Sequence, residues 1–262
     1  MRQATIGFGT YRLDPVQAYD ATICALHTGY THLDTAPLYR NQAEIGMAIH
    51  TSGVVRSNLH ITAKISRNEL KKGQIRESFQ NTLATMRLDY VDLLLLHEPI
   101  NCVKNWELLC ELYHTEARGR IGQIGVSNFS QSHLEQITRS SNLYHTMPSA
   151  NQIEINPFLG RGTLPCYCQT NGIQIIAHSP LAKAEKFDDL QLQAIASQYN
   201  TGCAQIMLGW GVGKGYDVIP RSSDPTHIAD NLARIHICPD DMAQLDRLDC
   251  GYATHPKYIV DK

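Results

Sequence analysis

Polar side chains close seven short apolar runs of this 262-residue chain, and successive runs end 25 to 43 residues apart. These side chains are Asp34, Lys64, His97, Ser127 with Asn128, Gln152, His178 and Arg221. Any one of them alone is compatible with a buried core residue or a stray surface charge. Because the strands of a barrel deliver the residues at their C-terminal ends to one face, the regular series predicts a single polar site.

Four residues form a set that suits proton transfer: Asp34, Tyr39, Lys64 and His97. A carboxylate beside a lysine keeps the ammonium charged, and an ammonium near a phenol lowers the tyrosine pKa from its usual value of about 10. Tyr39 can then give a proton to a carbonyl oxygen near neutral pH, while His97 orients that oxygen by hydrogen bonding. The chain has neither a His-x-His motif nor clustered carboxylates at these strand ends, which counts against a metal-dependent barrel hydrolase.

Eight short segments rich in leucine and β-branched residues predict the strands that carry these side chains. The predicted strands are residues 6–11, 31–34, 59–64, 91–97, 121–126, 150–155, 173–178 and 217–219. Their shortness and apolar character are typical of parallel strands that are buried on both faces.

Amphipathic segments between these strands predict helices. Asp14 followed by Pro15 is a helix start, and Gly29 marks the end of that helix. Its predicted apolar face is Val16, Tyr19, Ile23 and Leu26. A second face is predicted from Ile75, Phe79, Leu83 and Met86, and Asp224 followed by Pro225 predicts another helix start.

Strands that alternate with helices indicate an α/β fold with a parallel sheet. Eight units of about 33 residues fit a (β/α)8 TIM barrel of this length. We therefore predict a single domain over residues 1–262, with an extra C-terminal helix marked by Met242, Leu245 and Leu248. A doubly wound open sheet is the structural alternative.

The net charge of −2 excludes a strongly basic protein that binds nucleic acid. The longest apolar run, residues 93–96, is far shorter than the roughly 20 residues that span a bilayer. We expect a cytoplasmic protein with no membrane or nucleic-acid partner. The eight cysteines include no Cys-x-x-Cys pair, so we expect free thiols and no zinc site.

Several motifs resemble those of the aldo-keto reductases. Residues 7–10 (GFGT) resemble the first-strand motif, and residues 33–39 (LDTAPLY), followed by Asn41 to Gly46, resemble the family signature. Residues 61–64 (ITAK) resemble the family's lysine strand, and residues 95–99 (LLHEP) resemble its histidine strand. Three further segments are similar to the family's motifs on the cofactor side: residues 125–129, 151–154 and 219–222. The resemblance covers the whole chain and is closest to the bacterial 2,5-diketo-D-gluconate and methylglyoxal reductase branch.

This resemblance implies an oxidoreductase that passes hydride from a nicotinamide cofactor to an aldehyde or ketone, such as methylglyoxal or a diketogluconate-like sugar. Tyr39 would be the general acid, Asp34 and Lys64 its tuning pair, and His97 the group that orients the carbonyl. The implied cofactor-binding residues are Gly9, Thr10, Ser127, Asn128, Gln152, His178, Ser179, Leu181, Arg221, Ser222, His227 and Asn231. The cofactor supplies the hydride, and the protein supplies position and electrostatics.

Position 178 departs from the family pattern, because the residue that stacks on the nicotinamide is usually tyrosine. A neutral imidazole can still stack, but a protonated one should repel the oxidised ring. We therefore expect His178→Tyr to tighten binding of the oxidised cofactor, most clearly below pH ~6.5, the ordinary histidine pKa. The alternative is a packing histidine with no cofactor contact.

The site for the 2′-phosphate is mixed. Arg221 and Ser222 stand where the family places a basic residue and a serine, and a guanidinium can bind phosphate through two hydrogen bonds. His227 replaces a frequent arginine, while Asn231 is retained. We predict a preference for NADPH, with NADH weaker. In the alternative, Arg221 is a solvated surface residue.

The substrate pocket departs from the family as well. Glu98 stands where many relatives carry tryptophan, and Tyr11 is the other expected pocket residue. A carboxylate in the pocket would favour small neutral carbonyls over keto acids. Alternatively, Glu98 pairs with Arg67 and does not meet the substrate. The short tail, residues 251–262, predicts an open pocket mouth and broad substrate tolerance.

Two other functions stay open from the sequence: a non-enzymatic binding protein on the same fold, such as a cofactor sensor, and a metal-dependent hydrolase. Retention of all four residues of the proton-transfer set argues against the first. From the resemblance we expect a monomer whose partner is a small carbonyl compound.

Overall fold

The computed structural model describes residues 3–140 and 144–258 and contains all eight predicted strands. The strands are β1 (Phe8–Gly9), β2 (His32–Asp34), β3 (His60–Ile65), β4 (Val91–Leu96), β5 (Ile121–Ser127), β6 (Ala150–Glu154), β7 (Gln174–His178) and β8 (Asp217–Val218). Nearly every residue of these strands is buried, as expected for short apolar strands covered on both faces.

The strands pair in sequence order, and every pair is parallel. The sheet closes on itself because β1 also meets β8: the Gly7 N–H donates to the Val218 carbonyl at 2.8 Å, and the Val218 N–H donates to the Thr5 carbonyl at 2.9 Å. The prediction of an eight-stranded parallel α/β barrel is therefore confirmed, and the open doubly wound sheet is excluded.

Helices connect consecutive strands around the outside of the barrel. They are α1 (Pro15–Thr28), α2 (Gln42–Thr51), α3 (Arg67–Lys72), α4 (Ile75–Met86), α5 (Cys102–His114), α6 (Gln131–Arg139), α7 (Leu164–Thr170), α8 (Leu190–Gln198), α9 (Cys203–Gly213), α10 (Pro225–Asn231) and α11 (Pro239–Asp246). Short 3-10 helices occupy Pro37–Tyr39, Arg56–Asn58, Ala182–Ala184 and Pro256–Tyr258.

Two predicted helix starts have the expected capping contacts. The Asp14 carboxylate accepts the Gln17 N–H at the start of α1, and the Asp224 carboxylate accepts the first free N–H groups of α10. Gly29 ends α1 at a φ of 111°, a conformation that a side chain would strain.

The predicted buried face of α1 is partly wrong. Val16 is 72% exposed, whereas Leu26 is buried as predicted and the helix also buries Ala18, Ala21 and Ala25. The helix packs closely against α2 and α10, and this packing is not visible from the period of the large apolar residues. The apolar stripe predicted for α4 is buried throughout.

The barrel interior is filled below its C-terminal rim by Leu93, Leu95, Ala150, Ile176 and Ile219. This cluster is separate from the large apolar layer between the sheet and the helices. The interior is thus packed, so polar groups at the rim lie on an apolar floor. After α10 the chain forms α11, which ends at Asp246, before the Leu248 of the predicted C-terminal helix.

Candidate active site

Asp34 and Lys64 form a buried ion pair at the C-terminal ends of β2 and β3. The Lys64 ammonium donates to Asp34 Oδ1 and, at 3.1 Å, to Tyr39 Oη. Tyr39 lies in the 3-10 turn that directly follows β2, so the chain places the phenol above the pair. Because Nζ donates in the second bond, Oη accepts there and its own hydrogen can be directed into the cavity.

Burial lowers the pKa of Lys64 from its usual value, and the Asp34 carboxylate acts in the opposite direction. The second carboxylate oxygen, Oδ2, accepts from Gln152 Nε2 at 2.7 Å. The carboxylate therefore joins three strands, because β2 provides Asp34, β3 provides Lys64 and β6 provides Gln152.

His97 follows β4, and its ring lies 5.9 Å from the Tyr39 ring, centroid to centroid. Burial, followed by the ammonium groups of Lys64 and Lys257, lowers the pKa of His97 well below 6.5. The imidazole is therefore neutral and carries one N–H. Within the described part of the chain, its buried Nδ1 has no hydrogen-bond partner, which fits a site that an added ligand completes.

Ser127, Asn128 and Gln152 form a hydrogen-bonded cluster between β5 and β6. Ser127 Oγ donates to the Gln152 carbonyl at 2.9 Å, and the Asn128 amide Nδ2 donates to the His97 carbonyl at 3.0 Å. Asn128 adopts a φ of 61°, which asparagine tolerates better than most residues. His178, at the end of β7, completes the cluster through a 3.0 Å contact between its Nε2 and Asn128 Oδ1.

A cavity of about 910 Å³ opens above these groups. Its volume lies near the upper end of the roughly 300–1,000 Å³ typical of small-molecule sites. The predicted residues that line it are Gly9, Thr10, Tyr11, Asp34, Tyr39, His97, Ser127, Asn128, Gln152, His178, Ser179, Leu181, Arg221, Ser222, His227 and Asn231. Lys64 is fully buried directly beneath Tyr39.

Residues at the end of β1 form one wall of the cavity, where the backbone packs tightly against the end of β8. A Cβ added to Gly9 would lie 2.9 Å from the Ile219 carbonyl oxygen, so only glycine fits between β1 and the end of β8. Thr10 is fully buried and donates from Oγ1 to the Asp34 carbonyl at 2.8 Å. The Tyr11 ring lies 5.0 Å from the Tyr39 ring, beside the proton-transfer set.

The part of the cavity lining that follows β8 in the chain carries mixed charge. Arg221, Ser222 and His227 line it, together with two carboxylates that the sequence reasoning did not single out, Asp224 and Asp230. Ser222 Oγ accepts the Asp224 N–H at 3.0 Å, which fixes the turn into α10. Two carboxylates in the lining of the same cavity weaken the attraction for an anionic group.

Glu98 is not among the residues that line the cavity. Its carboxylate is buried and pairs with Arg67 at 3.2 Å, which is the second of the two alternatives that the sequence left open. The expected preference for neutral substrates depended on a carboxylate in the pocket, so that reasoning does not hold.

The expected effect of acid on His178 is also corrected. Burial, the largest cause, and His255 lower the pKa of His178 well below 6.5. The imidazole therefore stays neutral around pH 6, and repulsion of an oxidised cofactor ring is not expected there.

The C-terminal segment also borders the cavity, a feature that the sequence reasoning missed. Glu154, fully buried at the end of β6, accepts hydrogen bonds from the Thr254 N–H at 2.6 Å, from Thr254 Oγ1 at 2.7 Å and from the His255 N–H at 2.9 Å. His255 and Lys257 consequently line the cavity. A sequence signal existed for Glu154, which stands two residues after Gln152 on the same face of β6, but none existed for His255.

Two structural findings bear on the other expectations. Among residues 3–140 and 144–258, no group of three or more His, Cys, Asp or Glu side chains is arranged to hold a metal ion. None of the described helices combines the length and the hydropathy needed to cross a bilayer. The monomeric state and the cytoplasmic location stay predictions.

Residues 5–250 match the sequence model of the Aldo/keto reductase family. The chain therefore belongs to this family and is an NAD(P)H-dependent oxidoreductase.

Individual relatives agree with this placement. The chain is 34% identical over 249 residues to the methylglyoxal reductase DkgB of Salmonella typhi, a match that covers 94% of this chain and 92% of that protein. It is 33% identical over 248 residues to a glyoxal reductase of Bacillus subtilis, with 93% and 88% covered. The crystal structure of MGS-M4, an aldo-keto reductase from a deep-sea metagenome library, superposes with a TM-score of 0.89 at 30% identity and covers 97% and 94% of the two chains.

Proposed function

We propose that this chain is an NADPH-dependent carbonyl reductase that acts on small aldehydes and ketones, with Tyr39 as the general acid. The observation that carries the proposal is the contact of Lys64 Nζ with both Asp34 and Tyr39 in the floor of a large cavity. The nicotinamide cofactor supplies hydride when bound.

Each residue of the set has a separate task. Tyr39 gives the proton to the carbonyl oxygen as that oxygen gains negative charge. Lys64, held charged by Asp34, stabilises the phenolate that remains. Neutral His97 donates its N–H to the same carbonyl oxygen and thereby orients the substrate.

The residues around the cavity fit an extended dinucleotide. Ser127, Asn128 and Gln152 present amide and hydroxyl groups near the proton-transfer set, and these suit a carboxamide. Arg221 also lines the cavity, and a guanidinium suits a 2′-phosphate. Because Asp224 and Asp230 line the same cavity, we propose that NADPH is preferred over NADH by a modest factor.

The proposed substrates are small carbonyl compounds such as methylglyoxal, or diketogluconate-like sugars. Support comes from the reductases named for methylglyoxal and glyoxal that this chain resembles at 33–34% identity. Since Glu98 does not reach the cavity, we propose no preference between neutral and anionic compounds.

The test is NADPH oxidation by the purified chain with methylglyoxal, compared with Tyr39→Phe. We expect Tyr39→Phe to lower kcat by about 10²- to 10⁴-fold, the usual contribution of a general acid, and to leave cofactor affinity unchanged. Tyr19→Phe, on α1 outside the cavity, is the matched control and should keep full activity. Cofactor binding without turnover on a broad carbonyl panel would instead support a cofactor-binding protein.

A further inference from the structure

Both ring nitrogens of His178 have a hydrogen-bond neighbour, and these neighbours determine which nitrogen carries the hydrogen. Its Nε2 lies 3.0 Å from Asn128 Oδ1, and its Nδ1 lies 3.3 Å from Ser179 Oγ. The ring also lines the cavity, next to the groups that suit a carboxamide.

The orientation of the Asn128 amide follows from its other partners. Its nitrogen Nδ2 lies 3.0 Å from the His97 carbonyl oxygen and 3.1 Å from Ser127 Oγ. A carbonyl oxygen only accepts hydrogen bonds, so the amide nitrogen must face it. The amide oxygen Oδ1 therefore faces His178 and acts as an acceptor.

The tautomer of His178 follows in turn. Because Oδ1 accepts, Nε2 must carry the hydrogen. Burial keeps the imidazole neutral, so it has one N–H only, and Nδ1 then accepts from the Ser179 hydroxyl. Both amide hydrogens of Asn128 are engaged, while one lone pair of Oδ1 remains for a further donor.

We propose that His178 is a positioning residue: its Nε2–H holds the Asn128 amide in the orientation that presents an Oδ1 lone pair to the carboxamide N–H of the bound nicotinamide. This inference rests on the proposed function and goes beyond it. A tyrosine, which the family usually places here, has no donor at the position of Nε2. Compared with that tyrosine, His178 has a smaller stacking face but adds a hydrogen bond that orders the cluster of Ser127, Asn128 and Gln152.

The test is a titration of NADP⁺ and NADPH binding by protein fluorescence, which needs no turnover. His178→Phe keeps a flat ring without the donor, and His178→Gln keeps a donor without the ring. We expect His178→Phe to raise Kd about 3- to 10-fold, the range of one ordinary hydrogen bond, and His178→Gln to recover part of that loss. In an Asn128→Ala background, His178→Phe should change Kd by less than about twofold.

The outcomes separate the two roles of the ring. If His178→Phe binds as tightly as the parent chain, or if its effect is unchanged in the Asn128→Ala background, the positioning role is refuted. If His178→Gln binds weakly while His178→Phe binds as tightly as the parent chain, stacking alone explains the residue. His236→Phe, an exposed position outside the cavity, is the control and should leave Kd unchanged.

A second measurement uses the unmutated chain without cofactor. The ¹⁵N spectrum of histidine-labelled protein distinguishes Nε2–H from Nδ1–H imidazole, and His178→Phe assigns the signal. The neutral Nε2–H form at pH 7 is expected, and the Nδ1–H form would overturn the inference. If the unmutated chain shows no carbonyl reduction in the assay above, the proposed function is refuted. The ¹⁵N spectrum would still identify the tautomer of His178.

Discussion

Replacing Asp34 by Asn should expose the cost of burying the Lys64 ammonium. Both side chains are nearly or fully buried, and the carboxylate accepts hydrogen bonds from Lys64 and Gln152 through separate oxygens. An asparagine has one acceptor oxygen, and its amide nitrogen would face one of those two donors. Breaking a buried ion pair from one side costs about 3–5 kcal/mol, so we expect a loss of this size in the free energy of unfolding.

The expected loss is large enough for two independent measurements. For a chain of this length, each kcal/mol lowers Tm by about 2–4 °C, so Asp34→Asn should melt about 6–20 °C lower. Equilibrium unfolding in urea at 25 °C should show the same loss as a lower midpoint. The double variant Asp34→Asn/Lys64→Met removes the stranded charge and should recover most of the stability, although neither variant should reduce carbonyls.

The pH dependence of stability provides a sign test. Burial lowers the pKa of Lys64, so the unfolded chain binds a proton that the folded chain resists. Stability then rises with pH between the folded pKa and the unfolded value of about 10.4. Asp34 raises the pKa of Lys64. Its removal therefore lowers the folded-state pKa further and extends this window to lower pH. Within this window the slope for Asp34→Asn should approach about 1.4 kcal/mol per pH unit, and it should vanish in the double variant. A loss below about 1 kcal/mol without this slope would refute the reasoning.

Three further outcomes can be measured directly. Glu154→Gln should cost about 1–3 kcal/mol in unfolding free energy and raise KM for the carbonyl, because Thr254 and its segment lose a charged acceptor; an unchanged KM would argue that this segment is not a wall of the substrate site. Gly46→Ala should destabilise the chain by about 1–3 kcal/mol in urea unfolding, because the new Cβ would clash with the Met86 carbonyl oxygen and lie 2.7 Å from Met86 Cα. A gain in stability, as in an exposed helix, would contradict the close packing. Arg221→Gln should raise KM for NADPH several-fold more than KM for NADH, and equal changes would place Arg221 outside the phosphate site.

The barrel was predictable because its signals are local and repeated. Each strand is a short apolar run, and seven of the eight are associated with a closing polar residue, so the rim residues from Asp34 to Arg221 could be named in advance. The stripe of α4 was equally clear. The buried face of α1 was not, because the burial of Ala18 and Ala21 depends on how α1 packs among its neighbours α2 and α10.

Partners that lie far apart in the chain explain what the sequence could not predict. The position of Glu154 near Gln152 was visible in the sequence, but its role was not, because that role depends on Thr254, which lies 100 residues further along the chain. For Glu98 the sequence left two alternatives, because nothing local decides between a place in the pocket and the pairing with Arg67 that the structure shows. The lowered pKa of His178 likewise depends on burial, which only the assembled rim provides.

The closure of the sheet between β1 and β8 has a consequence for the order of assembly. The hydrogen bonds that join Gly7 to Val218 span more than two hundred residues, and the polar rim draws on every strand between them. Contacts of such long separation form late, because the entropy of closing the intervening loop must be overcome first. No partly folded fragment contains the complete site. A cofactor that requires the whole rim therefore binds only the closed barrel and, by mass action, shifts the folding equilibrium towards it.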